Sequence, residues 1–339
     1  MLCCPDCFNH VFLQEHIKAN SVKVGKCPFC SGIDKPLYES SKLLDLFQPI
    51  LDLYEPSPTG MLFIDKLQED WQIFNADLTK MKKKKLLSFI SSDETMSTLK
   101  VKSLYPHEDS YIRNWEEFRQ ELQHDNRFFP RKADRIQIED LLDYLVLEKD
   151  KIPKFIFRAR INREAHQYKI EEMGKPPVDK APDGRANPKG ISYFYGASDQ
   201  ITSIAETRPY KSEIVSVAKF QLKKDVTLVD LRNPKRTISP FGMDDDSLLP
   251  LYQEHMPFLI HLGLSLSIPI LPYKKDLEYL PTQYLCELIK YKGFDGIIFK
   301  SSLGAGDNYV IFQDTSLIGK KVESFRNEEI SFTSVKIKL

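Results

Sequence analysis

"GRANPKGISYFYGASDQITSIAETRP", residues 184–209, carries the reading of this chain. An arginine follows a glycine in a loop, three aromatic residues run from Tyr193 to Tyr195, and a helix-like stretch ends in a carboxylate, an arginine and a proline. The stretch "GISYFYGA" reads as a strand, which places Tyr193 and Tyr195 on one face, where a ring would meet a flat cation. Asp199 is the expected N-cap of the next helix, and Pro209 its stop. Ile201, Ile204, Ala205 and Arg208 mark one side of that helix. Its apolar members are expected to pack against a sheet and hold Glu206, which lies off the stripe.

Outward from this stretch the pattern stays mixed. "KFIFRARI", "EIVSVAKFQL", "VTLVDL", "FDGIIFKS" and "NYVIFQD" are short runs rich in β-branched and aromatic residues. "LPTQYLCELIKYKG" reads as a second helix, with Pro281 in its first turn and Gly293 past its end. The result is an α+β pattern without the regular alternation of a dinucleotide-binding fold. "SSLGAGDN" contains a G-x-G, but it lies between two strands and lacks the third glycine and the helix of a phosphate-binding fingerprint.

Arg158 and Arg160 stand two apart in a strand and share a face. Arg185 sits in a loop beside Gly184. Arginines of this kind suit phosphate oxygens, because the guanidinium fork is bidentate and permanently charged. Glu206 supplies a carboxylate that would stabilise a positively charged sugar centre. Phosphate clamps, a ring platform and one carboxylate together suit NAD+, whose glycosidic bond breaks through an oxocarbenium-like state.

These residues resemble the RES domain, named for its arginine, glutamate and serine. The pieces "FRARI", "GRANPKGISYFYGASDQITSIAETRP" and "YLPTQYLCELIKYKGFDGIIFKSSLGAGDNYVIF" occur in family order over residues 154–313. The resemblance implies an ADP-ribosyltransferase-like β-core with NAD+ as substrate, cleaved by hydrolysis or phosphorolysis or used to modify a protein. Small family members are toxins of toxin–antitoxin pairs, so the resemblance also implies a growth-arresting toxin or defence effector, with an antitoxin or regulatory protein as its partner. It puts the family arginines on Arg158 and Arg185, the aromatic platform on Tyr195, the glutamate on Glu206 and the serine on Ser301, with Ser302 as its immediate rival.

The N-terminal end differs in kind. Five of the six cysteines fall within the first thirty residues, and Cys4-x2-Cys7 and Cys27-x2-Cys30 are separated by nineteen residues. Paired knuckles at this spacing match a zinc ribbon-like site, in which four thiolates close around one structural Zn2+. Cys3 is a spare neighbour, and His10 and His16 are substitute ligands. Residues 36–150 read mostly helical, in "SSKLLDLFQPILDLYEP", "GMLFIDKLQEDWQIF", "YIRNWEEFRQELQH" and "IEDLLDYLVLEKDKIP". With the cysteine knuckles, they resemble the HEPN/RES N-terminal region of longer family members. Within them Arg119 and His124 have the R-x4-H spacing of HEPN ribonucleases, and the lysine run at 80–85 is either a solvated helix face or a nucleic-acid contact.

The expected organisation is a zinc-binding module at 1–35, a helical domain at 36–150, a RES domain at 151–325 with an insertion at about 232–280, and a tail at 326–339. The insertion is expected to act as a lid or as cover for a partner surface, and "MDDDS" at 243–247 to form an acidic loop. Lys+Arg and Asp+Glu balance at 48 each, so no general pull toward nucleic acid or membrane follows. No basic leader and no apolar run of about 20 residues is present, which makes a soluble cytoplasmic protein the expectation. The leading reading is an NAD+-consuming enzyme. A protein ADP-ribosyltransferase and a nucleic-acid-binding or RNA-cleaving effector are the alternatives.

Overall fold

The computed structural model describes residues 1–105, 110–133, 139–163, 167–243 and 245–329. The chain forms two compact units, Met1–Tyr111 with Asn233–Leu259, and Ile112–Arg232 with the described part of Ile260–Leu339. Among the described residues no helix is long and apolar enough to cross a membrane.

In the first unit Leu2–Cys3, Lys35–Glu39 and Lys23–Gly25 form a small antiparallel sheet with Lys35–Glu39 in the middle. Helices follow at Leu44–Leu51, Phe63–Trp71 and Lys80–Ser91, as the apolar spacing requires. The expected helical stretch at 36–150 is interrupted, however. Tyr54–Leu62 is a strand that pairs with Lys100–Ser103, and "GMLFIDKL" turns helical only at Phe63. Pro56, Pro58 and Gly60 explain the break, since none of them favours a helix interior. Gly60 also lets the strands touch, because a Cβ there would stand 2.2 Å from the Val101 carbonyl oxygen. A second departure is "IEDLLDYLVLEKDKIP", whose described part gives only short 3-10 turns at Glu139–Leu141, Asp143–Leu145 and Lys149–Lys151. Val146 bridges to Val229 and Leu147 enters the core of the second unit, so sheet contacts outweigh local helical preference.

The first unit also holds a buried polar knot. Tyr54 and Gln253 donate to Asp70 at 2.7 and 2.9 Å, Lys66 lies 3.0 Å from the same carboxylate, and the Trp71 indole donates to Tyr54 at 3.0 Å. A carboxylate only 3% exposed is tolerable because charge and hydrogen bonds surround it. Through Gln253 the knot ties the stretch Asn233–Leu259 into this unit. The acidic loop is a capped turn: Asp245 accepts the Ser247 amide at 2.9 Å, while Asp244 lies outside the described residues.

The second unit is built on a seven-stranded sheet. Its strands are β1 (Phe155–Ile161), β2 (Phe194–Ala197), β3 (Ile214–Leu222), β4 (Leu228–Asp230), β5 (Gly296–Lys300), β6 (Asp307–Ile311) and β7 (Leu317–Arg326). The order is β7-β3-β1-β2-β6-β5-β4, antiparallel throughout except for the parallel pair β4–β5. Ile156, Phe194, Phe220, Leu222, Ile298 and Ile311 form the centre of its apolar core. Three helices matter for the site: α1 (Gln200–Thr207), α2 (Leu249–Ser267), whose part from Ile260 onward belongs to this unit, and α3 (Leu280–Tyr291). Asp199 caps α1 by accepting the Thr202 amide at 2.8 Å, and Pro281 lies in the first turn of α3. Gly293, at φ 94°, follows α3 in the left-handed region that glycine enters without strain.

One expectation about α1 fails. Ile201 is 79% exposed, and the residues that α1 buries are Thr202 and Ser203. The reason is the loop between β5 and β6. Gly304 and Gly306 press against the start of α1, where a Cβ on Gly306 would meet Asp199 and Ser198 at 2.3 Å. The Gly306 amide donates to the Thr202 hydroxyl at 3.1 Å, so the buried side of α1 is the polar one.

Candidate active site

Strand β1, the Arg185 loop, β2, α1 and the β5–β6 loop surround a cavity of about 460 Å3 in the second unit. That volume lies within the roughly 300–1,000 Å3 of ligand pockets. The lining includes Arg158, Arg185, Tyr195, Glu206, Arg208 and Ser302, so the expected arginines, tyrosine and glutamate meet in one place. The sequence stretch 260–280 reaches it as well, through Leu266, Ser267, Ile270, Lys275 and Tyr279.

Glu206 sits near the end of α1 and is its only acidic residue in the lining. Its Oε1 accepts the Ser301 hydroxyl at 2.6 Å and the Asn308 amide at 2.7 Å. Ser301 is itself fixed, accepting the amides of Leu303 at 3.1 Å and Gly304 at 2.9 Å. The serine pair therefore divides: Ser301 holds the glutamate, and Ser302 faces the cavity. Asn308 escaped sequence reasoning, because an asparagine at the start of a strand is ordinary until β6 brings it opposite Ala197 beside α1.

Arg158 projects from the core side of β1, opposite Ala218, with its guanidinium 5.0 Å from the Phe194 ring centre and a 3.4 Å bond to the Tyr195 carbonyl. Burial pushes its pKa down, and the neighbouring Arg160 pushes the same way. Arg160 lies 5.8 Å from the Tyr168 ring centre and donates to the Gly174 carbonyl at 3.1 Å, outside the cavity lining. Arg185 donates to the carbonyls of Leu266 and Ile268 at 2.5 and 2.6 Å, capping the end of α2, where unpaired carbonyls favour a cation. Its pKa too is lowered by burial.

The Arg185 loop is held by Thr282 and Gln283, which lie in the family stretch "YLPTQYLC" but to which the resemblance assigns no role. Thr282 donates to the Arg185 carbonyl at 2.7 Å, and Gln283 donates to the carbonyls of Gly184 at 2.8 Å and Asn187 at 3.0 Å. Tyr195 donates to Asn187 at 2.5 Å and accepts the Ala186 amide at 3.1 Å, while burial raises its pKa. Gly184 makes room: a Cβ there would stand 2.6 Å from the Tyr195 hydroxyl.

Tyr193 does not join Tyr195. It precedes β2, is 1% exposed, packs its ring 4.8 Å from Phe312 and lies under Lys290. Strand alternation fails there because the strand begins at Phe194.

Arg119 and His124 are not assembled into a pair. Arg119 meets Glu116 at 2.8 Å and Glu278 at 2.9 Å, and His124 is exposed in the π-helical turn Glu121–Asp125. Of the lysine run, Lys80 pairs with Asp65.

In the first unit Cys4, Cys7, Cys27 and Cys30 place their sulfurs within 4.8 Å of one another. Cys4–Cys30, Cys7–Cys27 and Cys4–Cys7 are 3.3, 3.5 and 3.9 Å apart. Four sulfurs around one tetrahedral ion at about 2.3 Å would stand about 3.8 Å apart, so this donor set fits a metal. The two histidines stand elsewhere: His10 bonds the Trp71 carbonyl at 2.8 Å, and His16 packs edge-on against Tyr38. Cys3 is fully buried beside the cluster, and burial pushes its thiol up to about 12.

A family model described as the RES domain matches residues 157–332, more than half of the chain. The chain belongs to the RES-domain family. No curated protein matches it. Among solved structures, a chain of the crystal structure of the M. tuberculosis MbcT–MbcA toxin–antitoxin complex is similar at 12% identity, covering 51% of this chain and 84% of that one, with a TM-score of 0.30. The RES match runs from within β1 to past β7 and takes in Arg158, Arg185, Tyr195, Glu206, Ser301 and Ser302.

Proposed function

We propose that this RES protein consumes NAD+ by breaking the bond between nicotinamide and ribose. The observation that carries the reading is the setting of Glu206: one carboxylate, held at a single oxygen by Ser301 and Asn308, in a cavity whose other charged lining residues are all cations and whose rings include Tyr195. As nicotinamide leaves, positive charge develops at the ribose carbon, and a fixed carboxylate stabilises that charge without reorganising. Arg158 and Arg185 bind the phosphates, Tyr195 lies against the nicotinamide end, and Ser302 hydrogen-bonds the ligand. Ser301 acts through Glu206.

Zn2+ at Cys4, Cys7, Cys27 and Cys30 completes the reading. All four ligands come from protein, so the ion has a structural role and leaves no open position for chemistry. The ADP-ribosyltransferase-like core, a growth-arresting role and control by an antitoxin or regulatory protein belong to the same proposal.

The test is nicotinamide release from NAD+ by the purified protein, without nucleic acid and with or without inorganic phosphate. Release is expected, and the partner product, ADP-ribose, its phosphate ester or labelled protein, names the acceptor. A protein that neither binds nor cleaves NAD+ would end the proposal.

A further inference from the structure

Arg208 closes α1 two residues after Glu206, and its backbone is in the left-handed region at φ 52°, ψ 53°. Side chains with a Cβ are strained there, and helices commonly end on glycine for that reason. Gln72 and Ser92 end helices of the first unit in the same way, but Arg208 alone of the three is followed by a proline. A proline ring crowds the residue before it and narrows its backbone choices further. The sequence thus keeps a long cation where glycine or asparagine would fit with less strain.

Arg208 is exposed and is one of the residues that line the cavity. The other cations there are engaged: Arg158 with the Tyr195 carbonyl, Arg185 with Leu266 and Ile268, Lys275 with Asp183 at 3.3 Å and Lys300 with Asp307 at 2.6 Å. Among the described residues Arg208 has neither an ion pair nor a side-chain hydrogen bond. Burial lowers the Arg185 pKa most, and the charge of Arg208 lowers it further. Two like charges on one wall are costly alone and favourable around an anion. The guanidinium fork matches phosphoryl oxygens in geometry as well as charge.

We propose that Arg208 is a ligand-binding residue that takes a phosphoryl group together with Arg185. This rests on the reading of the cavity as an NAD+ site, and two sources share the chemistry: the pyrophosphate of the dinucleotide, or a free phosphate that attacks the ribose. The strained backbone at the end of α1 sets this cation beside Glu206, so ligand phosphate and catalytic carboxylate are registered by one helix turn.

The experiment compares the full-length protein with R208Q, which keeps size and loses charge, and R208G, which also removes the backbone strain. Calorimetry measures binding of NAD+, inorganic phosphate and nicotinamide riboside, which has no phosphate. R208Q and R208G are expected to weaken NAD+ or phosphate binding about tenfold or more, to bind the riboside as the parent does, and to melt with R208G no lower than R208Q. A loss confined to NAD+ identifies the pyrophosphate, and one confined to inorganic phosphate identifies the free anion. Anion binding unchanged in R208Q, or riboside binding lost in parallel, overturns the proposal, as does a parent that binds neither anion. A parent that cleaves NAD+ with R208Q unimpaired removes Arg208 and leaves the enzyme reading standing. Loss of phosphate binding in R208Q, in a parent that ignores NAD+, does the reverse.

Discussion

In the first unit four thiol sulfurs crowd within 4.8 Å of one another, whereas in the second unit the cations of the cavity other than Arg208 lean on carbonyls, a ring or a carboxylate. Both regions gather chemically demanding groups, with different consequences. The sulfurs converge on a point and have mainly each other as partners, so a metal there would be inseparable from the fold. The cavity groups surround a volume and most are satisfied by protein, so the sheet stands without a ligand. A convergent site spends its donors on stability, and an open one keeps a carboxylate and an arginine for a substrate.

The largest expected effect breaks that contrast at its cysteine end. Stripping metal with a chelator, or Cys27→Ser, should unfold the segment around Leu2–Glu39, because structural zinc contributes roughly 10–16 kcal/mol of apparent binding energy in small domains. Hydrogen exchange should show protection lost there and retained in strands β1 to β7. Protein purified without chelator and found metal-free would show instead that reduced thiols suffice.

Next comes the carboxylate. Glu206→Gln keeps size and hydrogen-bonding capacity but removes charge, and should slow nicotinamide release about a hundred- to a thousandfold, roughly 2.7–4 kcal/mol. NAD+ affinity and melting temperature should barely change, since the charge it meets develops only toward the transition state. A glutamine variant of normal turnover would place the chemistry elsewhere.

Asn308→Ala should cost less. It removes one of two donors to Oε1, and a single hydrogen bond to a charged group contributes about 1.5–3 kcal/mol. A fall in kcat with little change in KM, partly recovered in Asn308→Ser, would identify a positioning residue. A fall in thermal stability alone would make it a structural one.

The smallest effect tests α1. Ile201→Ser should alter stability by no more than about 0.5 kcal/mol, because Ile201 faces solvent. Thr202→Val, which strips the hydroxyl bonded to Asp199 and Gly306, should destabilise more. The opposite ranking would restore an apolar buried face to the helix.

Local chemistry was enough for some of this. Cysteine spacing places two knuckles, Asp199 caps α1, and Pro281 and Gly293 bracket α3, because each depends on neighbours within a few residues; the family stretches, each local, then occur in family order along the chain. Only the tertiary structure decided the rest. It set Asn308 and Ser301 on one oxygen of Glu206, gave Arg185 the carbonyls of α2, removed Tyr193 from the site and turned Ile201 outward. Those outcomes depend on which distant segments compete for the same face. The glycine loop between β5 and β6 approaches α1 closely enough to bury its polar side, and no periodicity within the helix contains that information.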